Sequence, residues 1–238
     1  MASNDPVTAI EAALERNPDI NLHQFPVEVS HDSRNDAIRL EGTVEDIIAL
    51  RKIMELAKAE AGTARLVEDL HIQTSVDVTD DQLQDKVVET LSGERLFRDV
   101  RIGSGSEGAP ASTAPEADWI VVSASGSSVH LEGRVHSLSH RRLAEALTWW
   151  IPGTSRIENR IQLEPAEEDS DDELSDAIGL VLERDPSLDA SQIQVTVKDK
   201  AVVLEGGVTS DVNRTIAARD CWMVPGVHCV ENRIQVLG

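Results

Sequence analysis

The chain has 238 residues, of which 22 are basic and 43 are acidic, and its formal net charge is −21. A surface this negative repels phosphate backbones, so the composition excludes a nucleic-acid-binding protein. No stretch of the sequence reaches the roughly 18 apolar residues that a membrane-spanning helix needs, which excludes a transmembrane segment.

Taken in chain order, each of three sequence repeats begins with the pattern of an amphipathic helix. In the third repeat, an acidic start is followed by apolar residues at helical spacing, namely Leu174, Ile178, Val181 and Leu182. The helix ends at Asn17-Pro18 in the first repeat and at Asp185-Pro186 in the third, because proline cannot continue it.

A β-hairpin pattern follows the helix. In the third repeat, Val195-Thr196-Val197 and Val202-Val203-Leu204 flank the turn residues Asp199-Lys200. The second strand of each hairpin contains the tripeptide Leu-Glu-Gly, and a glycine at a constant place in a strand is typical of a bulge or a close backbone approach. These glycines are Gly42, Gly133 and Gly206.

A second helix and a final strand complete each repeat. Another glycine, 20 residues after the first, ends this helix, and these glycines are Gly62, Gly153 and Gly226. The final strand begins at Val67, Ile157 or Val230, and it contains Asn159 in the second repeat and Asn232 in the third. Each repeat therefore predicts an α+β fold of order αββαβ, in which a three-stranded mixed sheet carries both helices on one face.

Shifts in composition predict where the repeats begin and end. We expect three domains, at residues 1–74, 79–164 and 171–238. The acidic segment 164–173 should be a solvated linker that ends in a helix cap. Residues 103–117, rich in Gly, Ser, Pro and Ala, should form a flexible insertion within the second domain, because they offer little to bury.

This pattern resembles the BON domain, a bacterial family named from an osmotically inducible periplasmic protein and a nodulation protein. In the third repeat the resemblance is carried by Gly206, Arg214, Ala217, Gly226, Val227, Val230 and Asn232, and in the second by Gly133, Arg141, Ala144, Gly153 and Asn159. The first repeat is divergent. It has Leu50, Ile53 and Asp69 in place of the Arg, Ala and Asn, and one extra residue before the last strand. The resemblance implies three tandem BON domains, non-catalytic modules that bind phospholipid or mediate envelope and protein contacts, and it suggests a stress-response setting.

The residues that most often carry catalysis or bind metals form no recognisable constellation in this sequence. Cys221 and Cys229 are expected to be reduced thiols rather than a disulfide. His136 and His140 are spaced to share a helix face, yet no third zinc ligand follows at a typical spacing. We therefore expect no enzymatic activity, no cofactor and no metal site.

Tryptophans at the ends of the second helices are the best candidates for a binding surface. Trp149 and Trp222 occupy the same repeat position, and Trp150 follows the first of them. Together with Arg141 and Arg142 they predict an interaction surface for a protein or an acyl chain, because exposed tryptophan is costly unless it meets a partner. The alternative is that these rings pack against the neighbouring repeat.

The sequence thus predicts a bacterial, non-enzymatic binding or scaffold protein with an unknown protein partner. One alternative is peripheral binding of phospholipid through the second and third repeats, where Arg141-Arg142 and Arg156 to Arg160 offer basic residues. Another is sensing of potassium ions, which the acidic composition would attract. The segment Met1 to Pro6 lacks a signal-peptide pattern, which predicts a cytoplasmic location, membrane-peripheral if lipid is bound, or periplasmic if residue 1 begins a trimmed mature form.

Overall fold

The computed structural model describes residues 5–32, 34–105 and 117–237. Within these ranges the chain forms six α-helices and eleven strands in three mixed sheets, which confirms the predicted α+β class. The chain divides into two compact units, residues 1–73 and 74–238, and the second unit contains both the second and the third repeat. The three-domain division stays a prediction.

The first repeat has the predicted order of elements. They are α1 (Pro6–Arg16), β1 (Val27–Asp32), β2 (Ala37–Val44), α2 (Ile47–Glu60) and β3 (Arg65–Ile72). β1 pairs antiparallel with β2, and β3 pairs parallel with β2 on its other side. The apolar residues of β2 are buried, whereas most of the alternate residues are exposed. α2 packs on β2 and β3, and α1 packs on β1 and α2, so both helices cover one face of the sheet.

The register of β3 corrects the sequence alignment of the first repeat. Glu68 pairs with Leu40, just as Asn159 pairs with Leu131 and Asn232 with Leu204. The prediction that Asp69 takes the asparagine position, after one extra residue, was therefore wrong. A shift of one residue turns every side chain of a strand to the opposite face, and the observed register is the one that buries Leu70 completely.

The second repeat contains one strand more than the sequence predicted. Its elements are α3 (Asp80–Gly93), β4 (Arg101–Ser104), β5 (Trp119–Ser125), β6 (Ser128–Val135), α4 (Leu138–Trp149) and β7 (Arg156–Leu163). The sheet has the order β4-β5-β6-β7, with β4 parallel to β5, so the three-stranded prediction was wrong here. The flexible insertion predicted for 103–117 was wrong at Gly103 and Ser104, which belong to β4, and its residues 106–116 lie outside the described ranges.

The third repeat follows the predicted order with an interrupted last strand. Its elements are α5 (Asp171–Arg184), β8 (Ile193–Lys198), β9 (Ala201–Val208), α6 (Asp211–Met223), β10 (Cys229–Asn232) and β11 (Gln235–Val236). β8 is antiparallel to β9, while β10 and β11 both pair parallel with β9, on either side of Arg233-Ile234. The sheet thus has the predicted three strand positions, the last of them divided in two.

The motif glycines lie where two backbones approach closely. A Cβ atom at Gly133 would be 2.1 Å from the carbonyl oxygen of Trp119, and one at Gly206 would be 2.0 Å from that of Gln192. Gly206 also has a φ of +124°, a conformation that side chains disfavour. Any larger residue at either position would push the hairpin strands apart.

The acidic segment between the second and third repeats is exposed to solvent but makes hydrogen bonds with its neighbours. Glu167 accepts a hydrogen bond from the backbone nitrogen of Leu138 at 2.6 Å, and Asp171 accepts one from that of Asp199 at 2.7 Å. Ser170 caps α5 by accepting a hydrogen bond from Glu173. Residues 164–169 are nevertheless exposed, so the predicted solvated linker and its helix cap are both present, with these added contacts.

Candidate functional site

Arg142, one of the predicted surface residues, lies buried between the second and third repeats. It projects from α4, and its side chain is only 2 % exposed. Its Nε donates a hydrogen bond to the carbonyl oxygen of Pro225 at 2.9 Å, and its Nη2 donates one to Asp169 Oδ1 at 2.7 Å. A Cβ at Gly226 would be 3.0 Å from Nη2, so the absence of a side chain there leaves room for the guanidinium.

Asp169 compensates the buried charge of Arg142. Its carboxylate also accepts a hydrogen bond from Lys200. This one acidic group therefore pairs with Arg142 of the second repeat and with Lys200 of the third. Partial burial by itself would raise the pKa of Asp169, but the hydrogen bonds from Lys200 and Arg142 outweigh it and lower the pKa. A buried arginine requires such a partner, because leaving it unpaired would be strongly destabilising.

Trp150 also joins the two repeats. Its Nε1 donates a hydrogen bond to Oδ1 of Asp220 on α6 at 3.4 Å. Trp222 lies two residues further along α6 and is 5 % exposed, whereas Trp149 is half-buried. The burial of Arg142 and Trp222 favours the packing alternative for this cluster, and the interaction surface itself stays a prediction.

Asp220 is the most unusual ionisable group of the junction. Its side chain is fully buried, and Arg219 Nη2 lies 3.6 Å from its Oδ1. Burial first, and then the nearby Asp185 carboxyl group, raise the pKa of Asp220 to about 7, while Arg219 and the hydrogen bond from Trp150 act in the opposite direction. Burial likewise raises the pKa of the adjacent Cys221 thiol, which makes it a poor nucleophile.

The asparagine of the last strand fastens that strand to the second helix. Asn159 Nδ2 donates to the carbonyl oxygen of Arg141 at 3.2 Å, and its Oδ1 accepts from the backbone nitrogen of Ile161 at 3.1 Å. Asn232 makes the equivalent bonds: its Nδ2 donates to the carbonyl oxygen of Arg214 at 2.7 Å, and its Oδ1 accepts from the backbone nitrogen of Ile234 at 3.1 Å. The half-buried Arg141 thus takes part in the packing of α4 through its backbone.

The sheet faces turned away from the helices carry a charged group that sequence reasoning missed. Arg160 donates to Glu158 at 2.6 Å and to Glu132 at 3.2 Å. In the third repeat, Arg233 donates to Glu231 at 2.8 Å and to Glu205 at 3.2 Å. The signal was present in the repeat itself, since the glutamate of Leu-Glu-Gly and the Glu-Asn-Arg of the last strand recur together.

The two histidines that suggested a metal site have separate environments. His136 Nδ1 bonds to Asp118, whereas the ring of His140 packs against Phe97 with the ring centres 5.5 Å apart. Across the described residues, no three His, Cys, Asp or Glu side chains are grouped so that they could hold a metal ion. None of the helices in that part of the chain is both long and apolar enough to cross a membrane.

Comparison with known proteins identifies the family. The BON domain model matches residues 110–165 and 170–238, which together make up more than half of the chain. The chain therefore belongs to the BON domain family. The matched segments correspond to the second and third repeats, and the first repeat lies outside them.

No curated protein matches the chain significantly, whereas several solved structures do, and two of them are of CdsD. One is the C-terminal domain of CdsD, the structural protein of the type III secretion system of Chlamydia trachomatis, at 13 % identity with 100 % of both chains covered and a TM-score of 0.26. The other, also of CdsD from that organism, has 17 % identity, covers 96 % of this chain and 90 % of its own, and has a TM-score of 0.25. Likeness at this level supports no inference about the present chain.

Proposed function

We propose that this protein is a non-enzymatic scaffold in which BON repeats hold surfaces for a partner protein. One observation carries the proposal: buried polar contacts join the second and third repeats through their helices. Arg142 of α4, Trp150 at the end of that helix and the partly buried Arg184 of α5 make these contacts, and the sheet faces bearing Arg160 and Arg233 are left open. One compact unit with two similar open faces suits a protein that organises partners.

We extend the proposal to the first repeat, as a divergent third BON domain. Its αββαβ order supports this, as does the register that places Glu68 where the other repeats have asparagine. Its open sheet face carries the ion pair of Arg39 with Asp69 at 3.0 Å. Asp69 stands at the strand position of Arg160 and Arg233, so the charges of this face are arranged differently from those of the other two repeats.

Phospholipid is less well supported as the ligand. Of the basic residues that suggested an anionic-lipid site, Arg142 is buried and paired with Asp169, and Arg160 is paired with two glutamates. Binding to anionic bilayers gains from basic residues near the lipid surface, and a paired arginine in a chain of charge −21 contributes little of this kind.

The test measures protein binding and vesicle binding with the same full-length protein. A tagged chain is cross-linked in its source cells and purified, in parallel with an unrelated acidic protein carrying the same tag. We expect specific co-purification of a protein, and no flotation with neutral or anionic phospholipid vesicles. Flotation without a protein partner would overturn the scaffold proposal in favour of lipid binding.

Charge reversal then asks whether the open faces are used. The variant Arg160→Glu/Arg233→Glu should capture less of the partner, because it places three like charges together on each face. Arg98→Glu, at a side chain that is 73 % exposed and paired only with its neighbour Asp99 in the described part of the chain, is the matched control.

A further inference from the structure

A groove with a volume of about 520 Å³ lies between α5 and the outer strand β8 of the third repeat. Its floor is formed by Gly179, Leu180, Ile193 and Val195, and the acidic side chains of Asp176 and Glu183 stand at its rim. Within the described ranges β8 pairs only with β9, so the hydrogen-bonding groups of its other edge face outward.

The second repeat fills the corresponding position with a strand of its own. β8 corresponds to β5, since Ile193 pairs with Gly206 as Ile120 pairs with Gly133. β4 pairs parallel with β5 and contacts α3, the counterpart of α5. This chain therefore demonstrates that the outer edge of a BON hairpin accepts an added parallel strand.

The equivalent side chains of the second and third repeats differ in burial. With β4 in place, Ile120 and Val122 of β5 are 0 % exposed. Their counterparts in the third repeat, Ile193 and Val195, remain partly exposed on the floor of the groove. Covering them with an occupant would complete the apolar surface in the way the second repeat does, and burial of apolar surface favours binding.

We propose that the groove between α5 and β8 binds an extended basic segment of a partner protein as an added parallel strand. The proposal rests on the scaffold function above and names the chemistry of the partner. Strand addition supplies main-chain hydrogen bonds, while alternate side chains of the added strand select the sequence. β4 shows which side chain the added strand needs: Ile102 pairs with Ile120 and points to the same face, so an apolar residue is expected at this position.

The acidic rim of the groove favours a basic segment as the occupant. Asp176 and Glu183 at the rim are exposed carboxylates, and Glu183 also pairs with Arg184 at 3.2 Å. Because side chains alternate between the two faces of a strand, lysine or arginine two or four residues from the inward-facing apolar residue would lie on the same side as these acids. An acidic segment would meet like charges at the rim and would also be repelled by the net charge of −21.

The experiment titrates the full-length, isotopically labelled chain with a synthetic peptide that carries the sequence of residues 100–104 after two added lysines. We expect saturable changes in the backbone amide resonances of residues 193–198, and slower exchange of those amides with solvent. A second peptide with aspartate in place of the isoleucine should bind at least tenfold more weakly.

Filling the groove provides the decisive variant. A Cβ at Gly179 would meet no atom within 4 Å, so Gly179→Leu adds a side chain to the groove without displacing the fold. Gly93→Leu is the matched control on α3, where a Cβ likewise meets nothing within 4 Å. Both changes replace a helical glycine and should favour the helix. We expect Gly179→Leu to weaken peptide binding at least tenfold and Gly93→Leu to leave it unchanged.

Three outcomes would overturn the proposal. One is the absence of saturable changes at residues 193–198 with millimolar peptide, and another is equal binding by the Gly179→Leu variant. The third is a dimer, measured by sedimentation, that Gly179→Leu abolishes, since the occupant would then be a second copy of this chain. If wild type and Gly179→Leu capture the same partner from cells equally well, the scaffold function stands and only the groove is wrong.

Discussion

Arg184 and Glu94 form a two-point ion pair across the junction of the second and third repeats. Nε of Arg184 lies 3.3 Å from one carboxylate oxygen of Glu94, and Nη2 lies 3.1 Å from the other. Burial alone would raise the pKa of Glu94, but the hydrogen bonds from Arg184 and from the Leu96 backbone lower it. The pair connects the end of α5 to the segment that follows α3.

Removing this arginine should loosen the junction. Arg184→Met keeps much of the apolar stem and loses both charged hydrogen bonds, so we expect the free energy of unfolding to fall by about 2 kcal/mol. Urea denaturation of the full chain measures it. Arg98→Met, at an exposed arginine, should change stability by less than about 0.5 kcal/mol. Equal effects of the two variants would contradict the role given to the pair.

Asp220 should make stability fall as the pH rises from about 4 to about 7. Its pKa is raised from 3.8 to about 7 in the folded chain, so between these values the folded state binds more protons than the unfolded state. The stabilisation is present below pH 4 and is lost by about pH 7. Since one pKa unit corresponds to about 1.4 kcal/mol, the loss is at most about 4 kcal/mol.

Asp220→Asn tests this dependence because the amide cannot ionise yet still offers an oxygen to Trp150. We expect the variant to lose that decline of stability between pH 4 and pH 7 and to be more stable than wild type above pH 7. The groups that face Asp220, namely Asp185, Arg219 and Trp150, are unchanged in it. Asp172→Asn, at an exposed position of α5, is the control, and an unaltered pH profile of Asp220→Asn would refute the prediction.

The motif glycines should not tolerate even one added carbon. Gly133→Ala and Gly206→Ala would each place a Cβ about 2 Å from a backbone oxygen of the adjacent chain segment, so we expect each to lower the free energy of unfolding by about 3 kcal/mol. Gly93→Ala, where the added atom meets nothing within 4 Å, should be neutral or slightly stabilising. Thermal unfolding of the three variants is the measurement.

Trp222 distinguishes packing from partner binding. Its near-complete burial leads us to expect that Trp222→Ala costs about 3–5 kcal/mol and lowers the melting temperature by about 6–20 °C. A partner hot spot would behave differently, with binding abolished and the melting temperature changed by only a few degrees. Circular dichroism melting, followed by capture of the partner, separates these results.

The sequence alone determined the local structure of each repeat. Helical spacing of apolar residues, alternation in the hairpin and glycines at constant places act within a few residues of one another, so the αββαβ order and the α+β class followed from them. The recurrence of Leu-Glu-Gly indicated the BON domain family, and the matches to residues 110–165 and 170–238 established it.

Tertiary structure decided which distant segments meet. The register of β3 depended on which residues of the strand face the core. The local pattern alone could not decide whether Leu70 or His71 does so. β4 is four residues long beside a Gly/Ser-rich stretch, and it is a strand because β5 offers an edge to pair with. Arg142 and Trp222 have the chemistry of surface anchors, yet both are buried, and Arg142 is buried because it meets Pro225 and Asp169, which are far from it in the chain. Such contacts depend on three-dimensional proximity, which spacing along the sequence does not encode.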